Sequence, residues 1–109
     1  MSTFKPDKWV IIKFNKEKEV WYKVLGTWAG VYIEGSPWRL SSGLERIEDA
    51  GEIWKMHNHS GSVYECHKEM EGVHYASSGV LTTLEEQGKE QGVMVKKISV
   101  KQFMKETKK

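Results

Sequence analysis

The chain has 109 residues, five of them tryptophan and only one cysteine, and carries a formal net charge of +2. That length accommodates one domain, residues 1–109, which can bury roughly two-thirds of its unfolded surface in a single core. Lone Cys66 excludes an internal disulfide and points to a reducing compartment; with no apolar run near the roughly 20 residues of a membrane helix, and none of signal-peptide length at the start, the expectation is a cytoplasmic protein that does not engage a membrane.

In chain order, the first signal is a hairpin. Lys8–Phe14 and Val20–Leu25 are β-branched and aromatic, and polar Asn15–Glu19 separates them. Pairing Phe14 with Val20 sets Ile12 against Tyr22 and Val10 against Val24, which makes one face wholly apolar. The other face then holds Trp9, Ile11, Lys13, Trp21, Lys23 and Leu25. Gly26, Gly30, Gly35, Gly43 and Gly51, with Pro37, punctuate short segments at Thr27–Glu34, Trp38–Leu40 and Leu44–Glu48, as in a meander. Asp49-Ala50-Gly51 reads as the turn into Glu52–Asn58.

A second hairpin joins Ile53–Asn58 to Ser62–Lys68 through His59-Ser60-Gly61. A two-residue loop would scatter the apolar residues over both faces. A three-residue loop opposes Asn58 to Ser62 and gathers Trp54, Met56, Tyr64 and Cys66 on one side, with Gly61 in the left-handed position that closes such a loop. Lys55, His57, Val63, Glu65 and His67 then form the outer face, Lys55 opposite Glu65. Ser77 or Ser78 caps a short helix with Val80, Leu81 and Leu84 in one stripe, ending at Gly88. Val93–Ile98 returns to strand character. Ser99-Val100-Lys101-Gln102 has capping-box spacing and opens a last helix, with Val100, Phe103 and Met104 inward and Lys101, Lys105 and Lys108 outward.

Charge is uneven: +3 over residues 1–40, −6 over 41–92 and +5 over 93–109. Trp9, Trp21, Trp28, Trp38 and Trp54, each able to bury about 150–250 Å², are expected to supply much of the core, with one or two left for stacking or partner contact.

Sites of chemistry are sparse. His57, His59, Cys66, His67 and His74 do not converge as four zinc ligands must, so no metal is expected. His67-Lys68-Glu69 matches the His-x-Glu start of a nucleobase-deaminase signature, but no Pro-Cys-x-x-Cys follows. Adjacent strand residues face opposite ways, so His67 cannot serve Cys66 as a base. The chain has only Asp7 and Asp49 as aspartates, and no phosphate-loop motif is present. No cofactor and no catalytic residue are expected. Binding remains. The face carrying Trp9, Lys13, Trp21 and Lys23 combines aromatic area with cations, and Lys101 and Lys105 add charge on the last helix. These six residues are the candidate binding set, for a protein partner or for single-stranded nucleic acid.

Trp28-Ala29-Gly30-Val31-Tyr32, Ser36-Pro37-Trp38-Arg39-Leu40-Ser41-Ser42-Gly43 and Ser60-Gly61-Ser62-Val63-Tyr64-Glu65-Cys66-His67 resemble small accessory proteins of large tailed bacteriophages, over about residues 20–70. The resemblance carries no catalytic residues. It implies a small protein of a bacterial host's cytoplasm that binds a host factor. The fold class expected is α+β: a curled antiparallel sheet or partial barrel with one or two short helices. The function expected is that of a non-enzymatic interaction protein with a protein partner, the alternative being a nucleic-acid-binding module. The oligomeric state is left open.

Overall fold

A computed structural model describes residues 2–28, 38–73 and 78–107. Its strands are β1 (Thr3–Phe4), β2 (Lys8–Lys16), β3 (Glu19–Thr27), β4 (Trp38–Leu40), β5 (Leu44–Ala50), β6 (Ile53–Asn58), β7 (Val63–His67) and β8 (Met94–Ile98), and its helices are α1 (Ser78–Glu90) and α2 (Val100–Thr107). They form two four-stranded sheets, one ordered β1-β7-β6-β5 and the other β4-β3-β2-β8. This is the expected α+β class, with two sheets that do not close into a barrel. Among the described residues the named strands pair antiparallel except β1 with β7, and an isolated parallel bridge joins Trp9 to Glu71.

The β2–β3 hairpin corrects the expected register. Phe14 opposes Trp21, Ile12 opposes Lys23 and Val10 opposes Leu25, one residue away from the expected pairs. The polar connection shrinks to Glu17-Lys18, with Glu17 at φ 54°. The reason is that both faces of this sheet are buried. Trp9, Ile11 and Val24 face the other sheet, where they meet Leu44, Met56, Tyr64 and Cys66. Val10, Ile12, Phe14 and Leu25 face away from it and are covered by Val80, Leu81 and Leu84 of α1. With apolar residues on both sides, alternation does not fix register. The layers are therefore sheet, sheet and helix, with two cores, and Phe103 of α2 closes the first core edge-on against Tyr22, ring centroids 4.9 Å apart.

The β6–β7 hairpin has the expected three-residue loop. Asn58 N–H donates to the Ser62 carbonyl, Gly61 N–H donates to the Asn58 carbonyl, and Gly61 sits at φ 92°. Trp54 opposes Cys66 and Met56 opposes Tyr64, while Lys55 opposes Glu65 on the outer face. Glu65 forms its ion pair with Lys5, however, at 3.9 Å. A bulge at Glu45 shifts β5 against β6, so that Leu44 and Ile47 both reach the core three residues apart.

Four other expectations change. Gly26 lies inside β3, where a Cβ would stand 3.0 Å from buried Pro6; it admits the chain crossing over it. Helix α1 continues past Gly88 to Glu90. Its C-terminus is closed at Gly92, φ 74°, where Val93 N–H reaches the Gly88 carbonyl and Gly92 N–H reaches the Lys89 carbonyl. Met104 is 37% exposed and points outward. Among the tryptophans, only Trp9 is fully buried; Trp21, Trp28, Trp38 and Trp54 are half-buried. The expected segment Thr27–Glu34 lies mostly outside the described residues, as do Gly30, Gly35, Pro37, Ser77 and Lys108.

Candidate functional site

The structure divides the six candidate binding residues among three places. Trp9 is 0% exposed, and its Nε1–H donates to the His67 carbonyl at 2.7 Å. It is core. Lys13 shares its face and forms an ion pair with Glu106 of α2 at 2.7 Å. Trp21 lies on the opposite face, stacked on Phe14 with centroids 5.6 Å apart and planes 4° from parallel. Lys23 shares that face and, with Trp21, Leu40, Leu84 and Val95, lines a cavity of about 220 Å³ beside α1. The expected Trp/Lys face therefore does not exist as one surface, because the register places Trp9 and Trp21 on opposite sides. Lys101 and Lys105 are exposed on α2, as expected.

Around Lys13 a half-buried polar network fastens α2 to β2 and β3. The Tyr22 hydroxyl donates to Glu106 Oε1 at 2.7 Å, and Gln102 Nε2 donates to Glu106 Oε2 at 2.6 Å. Three donors hold the Glu106 carboxyl down at about 2. Burial, with the Glu106 carboxylate beside it, pushes the Tyr22 hydroxyl up to about 12. Elsewhere His57 lowers Glu48 and Lys68 lowers Asp49, and burial pushes the Cys66 thiol up. Each resolved shift holds its group in its ordinary state at neutral pH, whereas a proton-transfer catalyst needs a pKa drawn toward the working pH. Among the described residues no group of histidine, cysteine and carboxylate side chains is placed to hold a metal ion. His57 instead pairs with Glu48 at 2.9 Å and His59 with Glu45 at 3.4 Å.

What sequence reading missed is the state of the sheet edges. Two sheets of four strands have four outer edges, at β1, β5, β4 and β8. β1 has two residues and β4 three. β5 is bulged at Glu45 and carries Glu48 and Asp49. Shortness, bulges and charge all blunt an edge against further pairing. β8 is different. Its five residues pair regularly with β2 on one side, and no strand borders its other side among the described residues. Beside that side runs an open groove of about 530 Å³, walled by Thr82, Glu85, Glu86 and Lys89 of α1 and floored by Gly92–Val95. Met94, at its lip, is 67% exposed. Lys96 and Lys97 are exposed farther along the same strand.

No protein-family model matches this chain, and no curated protein or solved structure is detectably similar to it. Among the described residues no helix is long and apolar enough to cross a membrane.

Proposed function

We propose that this chain is a non-enzymatic interaction protein that receives an extended segment of a partner protein as an added strand on β8. The observation that carries the reading is the regular edge of β8, unpaired among the described residues, beside a groove walled by α1. Strand addition needs a row of free backbone groups for affinity and an adjacent pocket for alternate side chains. Met94 and Val95 offer apolar contact to such side chains, Glu85 and Glu86 favour a basic residue toward the helix, and Lys96 and Lys97 favour an acidic one farther along. The resemblance to phage accessory proteins would make the partner a factor of a bacterial host. Single-stranded nucleic acid loses the aromatic platform that favoured it, since Trp9 is core and Trp21 is stacked under α1; Lys101 and Lys105 remain exposed.

A randomised-peptide display selection against the folded chain, followed by fluorescence anisotropy with the selected peptide, tests the proposal. Binding should survive 0.5 M salt, and Met94→Asp should weaken it by about tenfold or more, since it puts a charge at an apolar contact. Fluorescent single-stranded oligonucleotides form the second arm. If they bind with a steep salt dependence while no peptide is selected, the nucleic-acid reading replaces this one.

A further inference from the structure

A second polar recess lies where the two sheets meet, away from the β8 groove. It encloses about 270 Å³ and is lined by Arg39, Ser42, Ser60, Ser62, Phe4 and Tyr64, among others. Its making is legible residue by residue. Arg39 is the middle residue of β4 and opposes Gly26 in β3. Alternation turns it away from the helix-covered face and toward β1, and its guanidinium rests 4.4 Å above the Phe4 ring. The other side of the recess comes from the β6–β7 turn and the link between β4 and β5. Because the turn has three residues, Ser60 comes within reach of Ser42 and Ser62.

Two features of this recess are unspent. Arg39 has no carboxylate within ion-pair distance among the described residues, whereas Arg46 pairs with Glu48. Its guanidinium is oriented by the Phe4 ring while its donor edge is left available. The serine hydroxyls form a directed chain. Ser42 Oγ–H donates to Ser60 Oγ at 2.9 Å, and Ser60 Oγ–H donates to Ser62 Oγ at 3.2 Å. Ser60 N–H donates back to Ser42 Oγ at 3.2 Å. Each hydroxyl thereby polarises the next. The Ser62 hydroxyl has no further side-chain partner among the described residues, so it can turn its proton toward a ligand. No carboxylate is among the described residues lining the recess.

We propose that this recess binds a tetrahedral oxyanion, with Arg39 and the Ser62 hydroxyl as its principal donors, and that its ligand class is a small phosphate monoester. An Arg fork and separately mounted hydroxyls approach the anion from different elements, which suits four oxygens in a tetrahedron better than the two of a planar carboxylate. The volume sits just below the usual range for small-molecule sites, about 300–1,000 Å³, and so leaves room for a phosphoryl group with a short organic remainder. This inference does not rest on the reading of β8.

The test is an NMR titration of the full chain with inorganic phosphate and, separately, with acetate at matched ionic strength. Phosphate should shift the Arg39 Nε–H and the Ser60 and Ser62 amide signals saturably, and acetate should not. Arg39→Gln should raise the phosphate Kd by about tenfold or more, and Ser62→Ala by a smaller factor, as loss of one hydrogen bond to a charged group implies. Arg39 is exposed, so the fold is expected to survive its loss, and Ser62→Ala tests the recess independently of it. Non-saturating shifts, equal shifts with acetate, an unchanged Kd in both variants, or saturation centred on Lys101 and Lys105 would each overturn the proposal.

Discussion

Two glycines in α1 separate close packing from helix propensity. A Cβ on Gly88 would stand 2.7 Å from both the Val93 carbonyl oxygen and Val95 Cγ2, while one on Gly79 would meet nothing within 4 Å. Gly88→Ala should therefore cost about 1–3 kcal/mol through overpacking against β8. Gly79→Ala should be neutral or stabilising by up to about 1 kcal/mol. Chemical denaturation of the two variants decides it; equal effects would mean that α1 does not approach β8 as described. Cys66 belongs to the same scale. It is fully buried, and its thiol lies 3.7 Å from the Tyr64 carbonyl. It should resist thiol reagents in the native state, and Cys66→Ser should lower stability by about 1–3 kcal/mol. Rapid native-state labelling would contradict the burial.

The attachment of α2 depends on one carboxylate. Glu106 holds a pKa of about 2 against an ordinary 4.5. A lowered folded-state pKa contributes stability above the unfolded value that is lost as pH falls through the folded one. The network should therefore weaken between about pH 4.5 and 2. Tyr22, raised from 10.0 to about 12, has the opposite consequence. The unfolded chain ionises first, so stability falls as pH rises from 10 toward 12. Lys13→Ala should cost about 1–3 kcal/mol at pH 7, because it removes a charged partner from a half-buried network. Glu106→Gln should flatten the acid limb of a thermal midpoint–pH profile; an unchanged acid limb would show that α2 is held by Val100 and Phe103 alone.

How far each element was legible follows from how many of its faces are buried. In β6–β7 one face is apolar and one polar, and Gly61 supplies the left-handed turn residue, so loop length, register and both faces could be read directly. In β2–β3 both faces are buried, and the turn is made by Glu17-Lys18 with no glycine to mark it. Alternation therefore leaves the register open there, and a shared Trp9/Trp21 face exists only in the register one residue away from the observed one. Gly88 has the look of a cap because a glycine stands near the helix end; its actual reason is the close approach of Val93 and Val95, and Gly92 makes the cap. β8 could be seen as a strand. That it is an edge, and that β1, β4 and β5 are blunted while it is not, depends on the order of strands in two sheets, which no local pattern contains. The Arg39 recess was invisible for the same reason, since its donors come from two separated stretches of the chain, residues 39–42 and 60–62.

At the scale of the molecule, Trp9, Phe14, Tyr64 and Phe103 are taken up by the two buried cores, while Trp21, Trp28, Trp38 and Trp54 stay half-buried. The claim most exposed to refutation is that β8 is the strand that receives a partner. Residue-resolved amide hydrogen exchange, measured on the free chain and on its complex with the display-selected peptide, addresses it directly. In the free chain the β8 amides that do not bond to β2 should exchange fast for a strand. On binding, those amides between Met94 and Ile98 should slow by about tenfold or more, as new backbone hydrogen bonds form, while β5 amides keep their rates. Protection that appears on β5, or on the Lys55, His57 and Glu65 face, with β8 unchanged, would contradict the account.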